Sequence, residues 1–210
     1  MDLYDWLLIW LDKYEKNSIK RTTYANYDGH IRKYYIAFQN APIDKITTSD
    51  FQEFFNDKLN SGLSAKTVRN MAMILRNAMK QALAEGLIKE NYSLYVNLPK
   101  VQKKEIQILT HDQKESLIKT SYFYRYGAFI RLTLCTGLRL GELLALKWED
   151  IDFSKKELHV RRILHRSKNY DPNIKNSTSI YFDEPKTEKS KRIIPLPRNA
   201  IEDLQKLKQK

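Results

Sequence analysis

Residues 133–153 read TLCTGLRLGELLALKWEDIDF, and the rest of the chain is best understood from this stretch. An apolar run from Phe129 to Leu134 leads into it. Gly137 then permits a turn that a residue with a Cβ would resist. Arg139 follows, and Glu142 stands three residues later, the spacing at which two side chains share a helix face. Leu140, Leu143, Leu144 and Leu146 put apolar positions around the pair. A guanidinium in such surroundings is costly unless it is paired or has a task. Gripping a phosphate with its planar fork of donors is one such task. The plainer reading is an amphipathic helix with a structural Arg–Glu pair. From these residues alone both readings stay open.

The charge of the chain favours an anionic partner. Its 210 residues carry 37 Lys and Arg against 25 Asp and Glu, a formal net charge of +12. The excess is uneven: residues 101–210 hold 23 basic and 14 acidic side chains, a net of +9. A basic domain points to a polyanion, most often nucleic acid. The single cysteine, Cys135, allows no disulfide framework and no Cys-based metal site, which fits a reducing compartment. It sits in the apolar run and is expected to be a small buried hydrophobe. No apolar run reaches membrane-spanning length, and the N-terminus lacks the basic start of a signal peptide, so a cytoplasmic protein is expected. The histidines His30, His111, His159 and His165 show no metal-ligand spacing, so no metal or cofactor is expected.

Before the central stretch the apolar pattern is helical. Leu3, Trp6, Leu7, Trp10, Leu11 and Tyr14 predict a helix over residues 3–16. Thr22 or Thr23 is expected to cap a second helix with Tyr24, Tyr27, Ile31, Tyr34, Tyr35 and Phe38 on one side. Ser49 with Gln52 suits a capping box for a third helix that carries Phe51, Phe54, Phe55 and Leu59 and ends at Gly62. Ser64 caps a fourth with Val68, Met71, Leu75, Ala78, Met79 and Ala82 inward, closed by Gly86. Four helices on short loops form a small bundle. Pro99 to Gln107 is polar, basic and without period, and reads as a linker. Thr110 and Gln113 suit a capping box opening a second domain, and a buried helix is expected from about Tyr126.

After Phe153 the period becomes extended. Glu157–Leu164, Ser177–Phe182 and Lys191–Leu196 read as strands, Arg166–Asn176 as a long exposed loop, and Pro185-Lys186-Thr187 as a turn. The fold class is therefore mainly α with a small antiparallel β-sheet (α+β). Its divisions are a helical domain over 1–98, a linker over 99–108 and a partial mixed domain over 109–210.

The pattern Thr-Gly-Leu-Arg-x-x-Glu-Leu-x-x-Leu-x-Trp-x-Asp-Ile-Asp, unbroken from Thr136 to Asp152, resembles the first arginine box of the tyrosine recombinases, the phage-integrase family. Three segments of the first domain are similar to that family's core-binding domain: Thr22–Tyr27, Ile43–Thr47 and Gly62–Val68. The pattern continues from Ala82 to Asn91, after which this chain has Tyr92 where the family usually has proline. Pro185-Lys-Thr-x-x-Ser-x-Arg-x-Ile-Pro-Leu196 resembles the family's catalytic hairpin.

The resemblance implies that Arg139 clamps the scissile phosphate of DNA, that Glu142 supports the site and that Lys186 protonates the leaving 5′ oxygen. It implies a bundle packed on one side of duplex DNA, with Lys66, Arg69, Arg76 and Arg21 as candidate phosphate contacts. Each is equally an ordinary solvated helix charge. It further implies a tetrameric synapse of the complete protein. The family's chemistry also needs a His-x-x-Arg box and a late tyrosine nucleophile. His159 and Arg162 match the box by letter only, because they precede the hairpin lysine and fall on a predicted strand. Tyr170 and Tyr181 come too early for the nucleophile. The expectation is a site-specific recombinase or integrase of a phage or transposon, truncated before the nucleophile and inactive alone. The alternatives are an inactive DNA-binding integrase remnant, and a basic module for RNA or protein without a dedicated motif.

Overall fold

Apolar side chains three and four residues apart must meet on one helix face, and residues 1–105 are built from such faces. The computed structural model describes residues 1–102, 105–170, 177–185 and 190–209. The chain divides into two units, Met1–Glu105 and Ile106–Lys210.

In the first unit, α1 (Leu3–Trp10) is capped by Asp2, whose carboxylate accepts from the Asp5 N–H at 2.8 Å. It runs on through a π-helical turn, Leu11–Glu15. The helix α2 (Arg21–Tyr34) begins earlier than its threonines suggested, with Lys20 at the cap position and no side-chain cap bond. The box opening α3 (Thr48–Asn60) is formed by Thr47 and Asp50, two residues upstream of the expected pair. Asp50 reaches back to the Thr47 N–H at 2.8 Å, while Gln52, two residues further in, instead accepts the Asn97 N–H at 2.8 Å. Ser64 caps α4 (Ala65–Ala84) as read from the sequence, accepting from the Thr67 N–H at 3.1 Å.

The four helices enclose Trp6, Trp10, Ile31, Tyr35, Phe51, Phe55, Met71 and Leu75, all with almost no exposure. Two buried polar atoms of this core are satisfied by the backbone of α4. The Trp6 indole N–H donates to the Ala78 carbonyl at 2.9 Å, and the Tyr35 hydroxyl to the Met71 carbonyl at 2.8 Å. Bonds of this kind remove the desolvation cost of burying aromatic residues with polar tips. Because this core is self-contained, residues 1–105 expressed alone are expected to unfold in one cooperative transition with a helical far-ultraviolet spectrum. A disordered spectrum, or amide exchange without protection in α4, would contradict that.

The second unit opens on α5 (His111–Ser121), whose Thr110–Gln113 capping box is present as expected. The next helix, α6 (Gly127–Thr136), is only half-buried: Leu132 points inward, whereas Phe129 and Ile130 are exposed. Cys135 lies on its outer side, exposed, which corrects the expectation of a buried hydrophobe. Gly137 ends α6 with φ +63°, and a separate short helix, α7 (Leu140–Leu144), follows.

The strands differ from the sequence reading in number and grouping: a short strand at Ile151–Asp152 was not expected, and the described residues form two sheets where one was expected. The expected first strand is two: β2 (Glu157–Val160) and β3 (Ile163–Lys168). The expected loop from Arg166 therefore starts later, because β3 pairs antiparallel with β4 (Thr178–Asp183), Leu164 opposite Phe182. Cross-strand hydrogen bonds outweigh the polar character of Arg166, Ser167 and Lys168. Residues 171–176 lie outside the described residues. The other sheet has the order β1 (Ile151–Asp152), β2, β5 (Arg192–Pro195), all antiparallel. The helix α8 (Arg198–Lys208) closes the unit over Leu132, Leu138, Leu158, Val160, Leu196, Ile201 and Leu204. Mainly α with small antiparallel sheets is the observed class.

Candidate DNA-cleavage site

Glu142 is the centre of the site. A carboxylate at the third position of a helix can reach back to the free N–H at the cap. Here the cap is Arg139, with extended backbone at φ −71°, ψ 151°. Arg139 donates its backbone N–H to Glu142 Oε2 at 2.9 Å and its guanidinium Nη1 to Oε1 at 3.1 Å. The pair is thus a helix-capping box, not two residues side by side in mid-helix. It leaves the two partners very differently placed: the Glu142 side chain is fully buried, and that of Arg139 is 72% exposed.

A second arginine meets the same carboxylate. Arg192, the first residue of β5, forks onto Glu142 with Nη1 to Oε1 at 3.1 Å and Nη2 to Oε2 at 2.9 Å. Its Nη1 also donates to the Ser190 carbonyl at 3.3 Å. Burial by itself would raise the Glu142 pKa. The Arg192 fork, the Arg139 N–H and the Arg139 guanidinium outweigh it and leave the group at about 2. A carboxyl depressed in this way adds stability above its ordinary pKa. That stability is lost as pH falls from the usual carboxylate range toward 2.

Arg192 was missed in the sequence. Alternation along β5 turns Ile193 outward, 57% exposed, and Arg192 inward, the reverse of the usual apolar-in pattern. Its only signal was its place in the segment ending Ile194-Pro195-Leu196. Gly141, between Arg139 and Glu142, has a packing reason. A Cβ there would stand 2.7 Å from Ile163 Cγ2 and 3.1 Å from the Leu164 carbonyl oxygen, so α7 lies directly on β3. Leu140 and Leu144 face outward on this helix, 71% and 57% exposed, and do not enclose the arginine.

Lys186 lies outside the described residues. His159 is on β2 beside Glu157, and Arg162 is taken by Asp150 and Glu149 at 2.9 Å each. Asp150 is itself buried and accepts the Lys147 N–H, so this cluster serves the turn before β1. In the first unit Lys66 is exposed at the start of α4, and Arg21 is exposed at the start of α2. Arg69 gives Nη1 to the Pro99 carbonyl at 3.0 Å. Arg76 donates to the carbonyls of Ser93, Leu94 and Val96 and holds the segment after α4 against that helix. Among the described residues no helix is long and apolar enough to cross a membrane.

Residues 107–210 match the model of the phage integrase family, and residues 3–59 match that of the phage integrase N-terminal SAM-like domain. A tyrosine recombinase XerC-like protein of Caldanaerobacter subterraneus subsp. tengcongensis is 30% identical over 207 residues, covering 95% of this chain and 53% of that protein. The integrase of Escherichia phage lambda is 30% identical over 158 residues, 68% of this chain and 41% of the relative. The chain thus spans about half the length of the curated relatives it matches. Among solved structures, the Tn1549 transposon integrase with a circular intermediate DNA superposes with a TM-score of 0.82 at 23% identity, covering all of this chain and 65% of that one. A lambda integrase tetramer on a Holliday junction gives 0.70 at 23%, covering all of this chain and 57% of that one. These likenesses show a shared fold.

Proposed function

Because the chain belongs to the phage integrase family of tyrosine recombinases, we propose that it is the DNA-binding and phosphate-gripping part of a site-specific recombinase of a mobile element, acting in the cytoplasm. One observation carries this: an exposed guanidinium, Arg139, is tethered by a single nitrogen to a buried carboxylate. Its remaining N–H groups face solvent with the fork geometry that fits two phosphate oxygens. A structural ion pair has no need to leave its cation outside.

In the reaction so proposed, Arg139 holds the non-bridging oxygens of the scissile phosphate and stabilises the charge that develops there. A tyrosine hydroxyl gives up its proton to solvent as its oxygen attacks phosphorus, the bond to the 5′ oxygen breaks, and Lys186 supplies the proton that this oxygen takes up. The product is a 3′-phosphotyrosine. Arg139, Glu142 and Lys186 bind, orient and protonate; the nucleophile itself is not among them. Lys66 and Arg21 are the proposed phosphate contacts of the first unit, joined by the free nitrogens of Arg69. Arg76 supports that face by holding the segment after α4 in place. The DNA in the solved integrase structures, and the lambda integrase tetramer on a Holliday junction, support duplex DNA and a tetrameric assembly as partners of the complete protein.

The test is fluorescence anisotropy with a duplex at increasing salt. With about six phosphates neutralised, affinity should fall about a thousandfold between 50 and 200 mM salt. A chain that ignores duplex DNA, or whose binding does not respond to salt, would refute the proposal.

A further inference from the structure

We propose that Arg192 is a positioning residue for Arg139, acting through Glu142, so that the grip on phosphate is set by a strand residue fifty positions away from the carboxylate it holds. The proposal rests on the reading of Arg139 as a phosphate clamp and adds a determinant of that site. Each oxygen of Glu142 receives two donors. Oε1 takes the Nη1 groups of Arg139 and Arg192, both at 3.1 Å. Oε2 takes the Arg139 backbone N–H and Arg192 Nη2, both at 2.9 Å. Arg192 therefore supplies the only bidentate fork on the carboxylate among the described residues, and Arg139 contributes one guanidinium nitrogen.

The consequence for Arg139 is geometric. Its side chain is 72% exposed and has little packing to hold it, so its direction depends on the one bond to Oε1. That bond needs Oε1 fixed in place and negatively charged. The Arg192 fork fixes the carboxylate plane, and its own position is fixed by pairing in β5, opposite Val160, and by the Ser190 carbonyl. The charged groups that face Glu142 among the described residues are Arg139, at the cap of α7, and Arg192 from β5. Without Arg192, a carboxyl group with no solvent exposure keeps a single cationic partner. Burial then favours its protonated form, which also turns one acceptor oxygen into a donor. Arg139 becomes a free side chain that must be ordered anew each time a phosphate binds.

The test has two arms. In the first, protein without DNA carries a carbon-13 label at the Glu142 carboxyl, and nuclear magnetic resonance follows its titration. In the parent protein it should titrate only at the acid extreme. In Arg192→Gln the midpoint should rise by at least about one pH unit. Arg192→Lys, which keeps the charge without the fork, should fall between them and serves if the glutamine variant folds poorly. An unmoved midpoint in both variants would overturn the proposal. The second arm is a double-mutant cycle on duplex binding at neutral pH. Arg139→Gln should weaken binding about tenfold in the parent, as for a hydrogen bond to a charged group. It should weaken binding less than about threefold in the Arg192→Gln or Arg192→Lys background, because the clamp is already loose there. Equal, additive losses would show that Arg192 does not position Arg139. A parent that binds no duplex at all would instead remove the phosphate reading, and the clamp with it, while the titration still reports who holds Glu142.

Discussion

Replacing Arg139 with alanine in a complete form of the protein, one that includes a tyrosine nucleophile, is expected to lower strand cleavage by at least about 10²–10³-fold, the usual consequence of removing a donor from a developing oxyanion. Binding to the duplex should fall only about tenfold, since the other phosphate contacts remain and one charged hydrogen bond is worth that much. The split follows from the geometry. Arg139 holds Glu142 with one nitrogen and leaves the rest of its fork outside, so what it adds to a bound phosphate is orientation. Lysine should not rescue cleavage, because a single ammonium cannot hold the buried carboxylate and span two phosphate oxygens at once. The measurement is covalent adduct on a nicked substrate, read by denaturing electrophoresis beside an anisotropy titration. Normal adduct formation by Arg139→Lys would place the phosphate clamp elsewhere.

The largest effect on stability is expected at Gly127, where α6 meets the end of α5 beside the Arg131 guanidinium. This residue opens α6 where the chain turns back against the end of α5. A Cβ built there would stand 1.6 Å from the carbonyl oxygen of Ser121 and 2.6 Å from its carbonyl carbon. Neither atom can swing aside, since both belong to the backbone of α5. Gly127→Ala must therefore part the two helices. Parting them also disturbs Arg131, which donates to Ser121 Oγ at 2.9 Å and to Asp203 of α8 at 2.6 Å, and whose guanidinium stacks over the Tyr122 ring. Overpacking with no room to relax costs about 3 kcal/mol, which for a unit of this size lowers Tm by roughly 10–20 °C. Because the two units carry separate cores, the transition of the first unit should stay in place while that of the second moves. Gly29→Ala is the control. Nothing lies within 4 Å of a Cβ there, and a helical alanine should be neutral or stabilise by up to about 1 kcal/mol. A second-unit transition unchanged by Gly127→Ala in calorimetry would refute the close approach.

Much of the site was visible before the fold was known, for a definite reason. Arg139 and Glu142 are three residues apart, so their pairing is local, although it is the reach of a third-position carboxylate back to its helix cap and not the shared helix face that the spacing suggested. The same holds for the capping box at Thr110, the cap at Ser64 and the apolar faces of α1 and α4. The errors at Thr47 and Lys20 were shifts of two or three positions along the chain at a helix start. Pairing across the sheets was less legible. Arg166, Ser167 and Lys168 look like loop in isolation and are strand because β4 lies beside them.

The sequence by itself determined the helical bundle, the two-part division of polarity and charge, the turn at Gly137 and the arginine box, because each rests on residues within one or two turns of one another. The tertiary structure alone decided that Arg192 reaches Glu142, that Arg162 is taken up by Asp150, that Cys135 is exposed and that Gly127 and Gly141 admit no Cβ. Each of these depends on how distant segments approach. That approach is set by packing the whole core, and no periodicity along the chain encodes which strand residue will face a buried carboxylate.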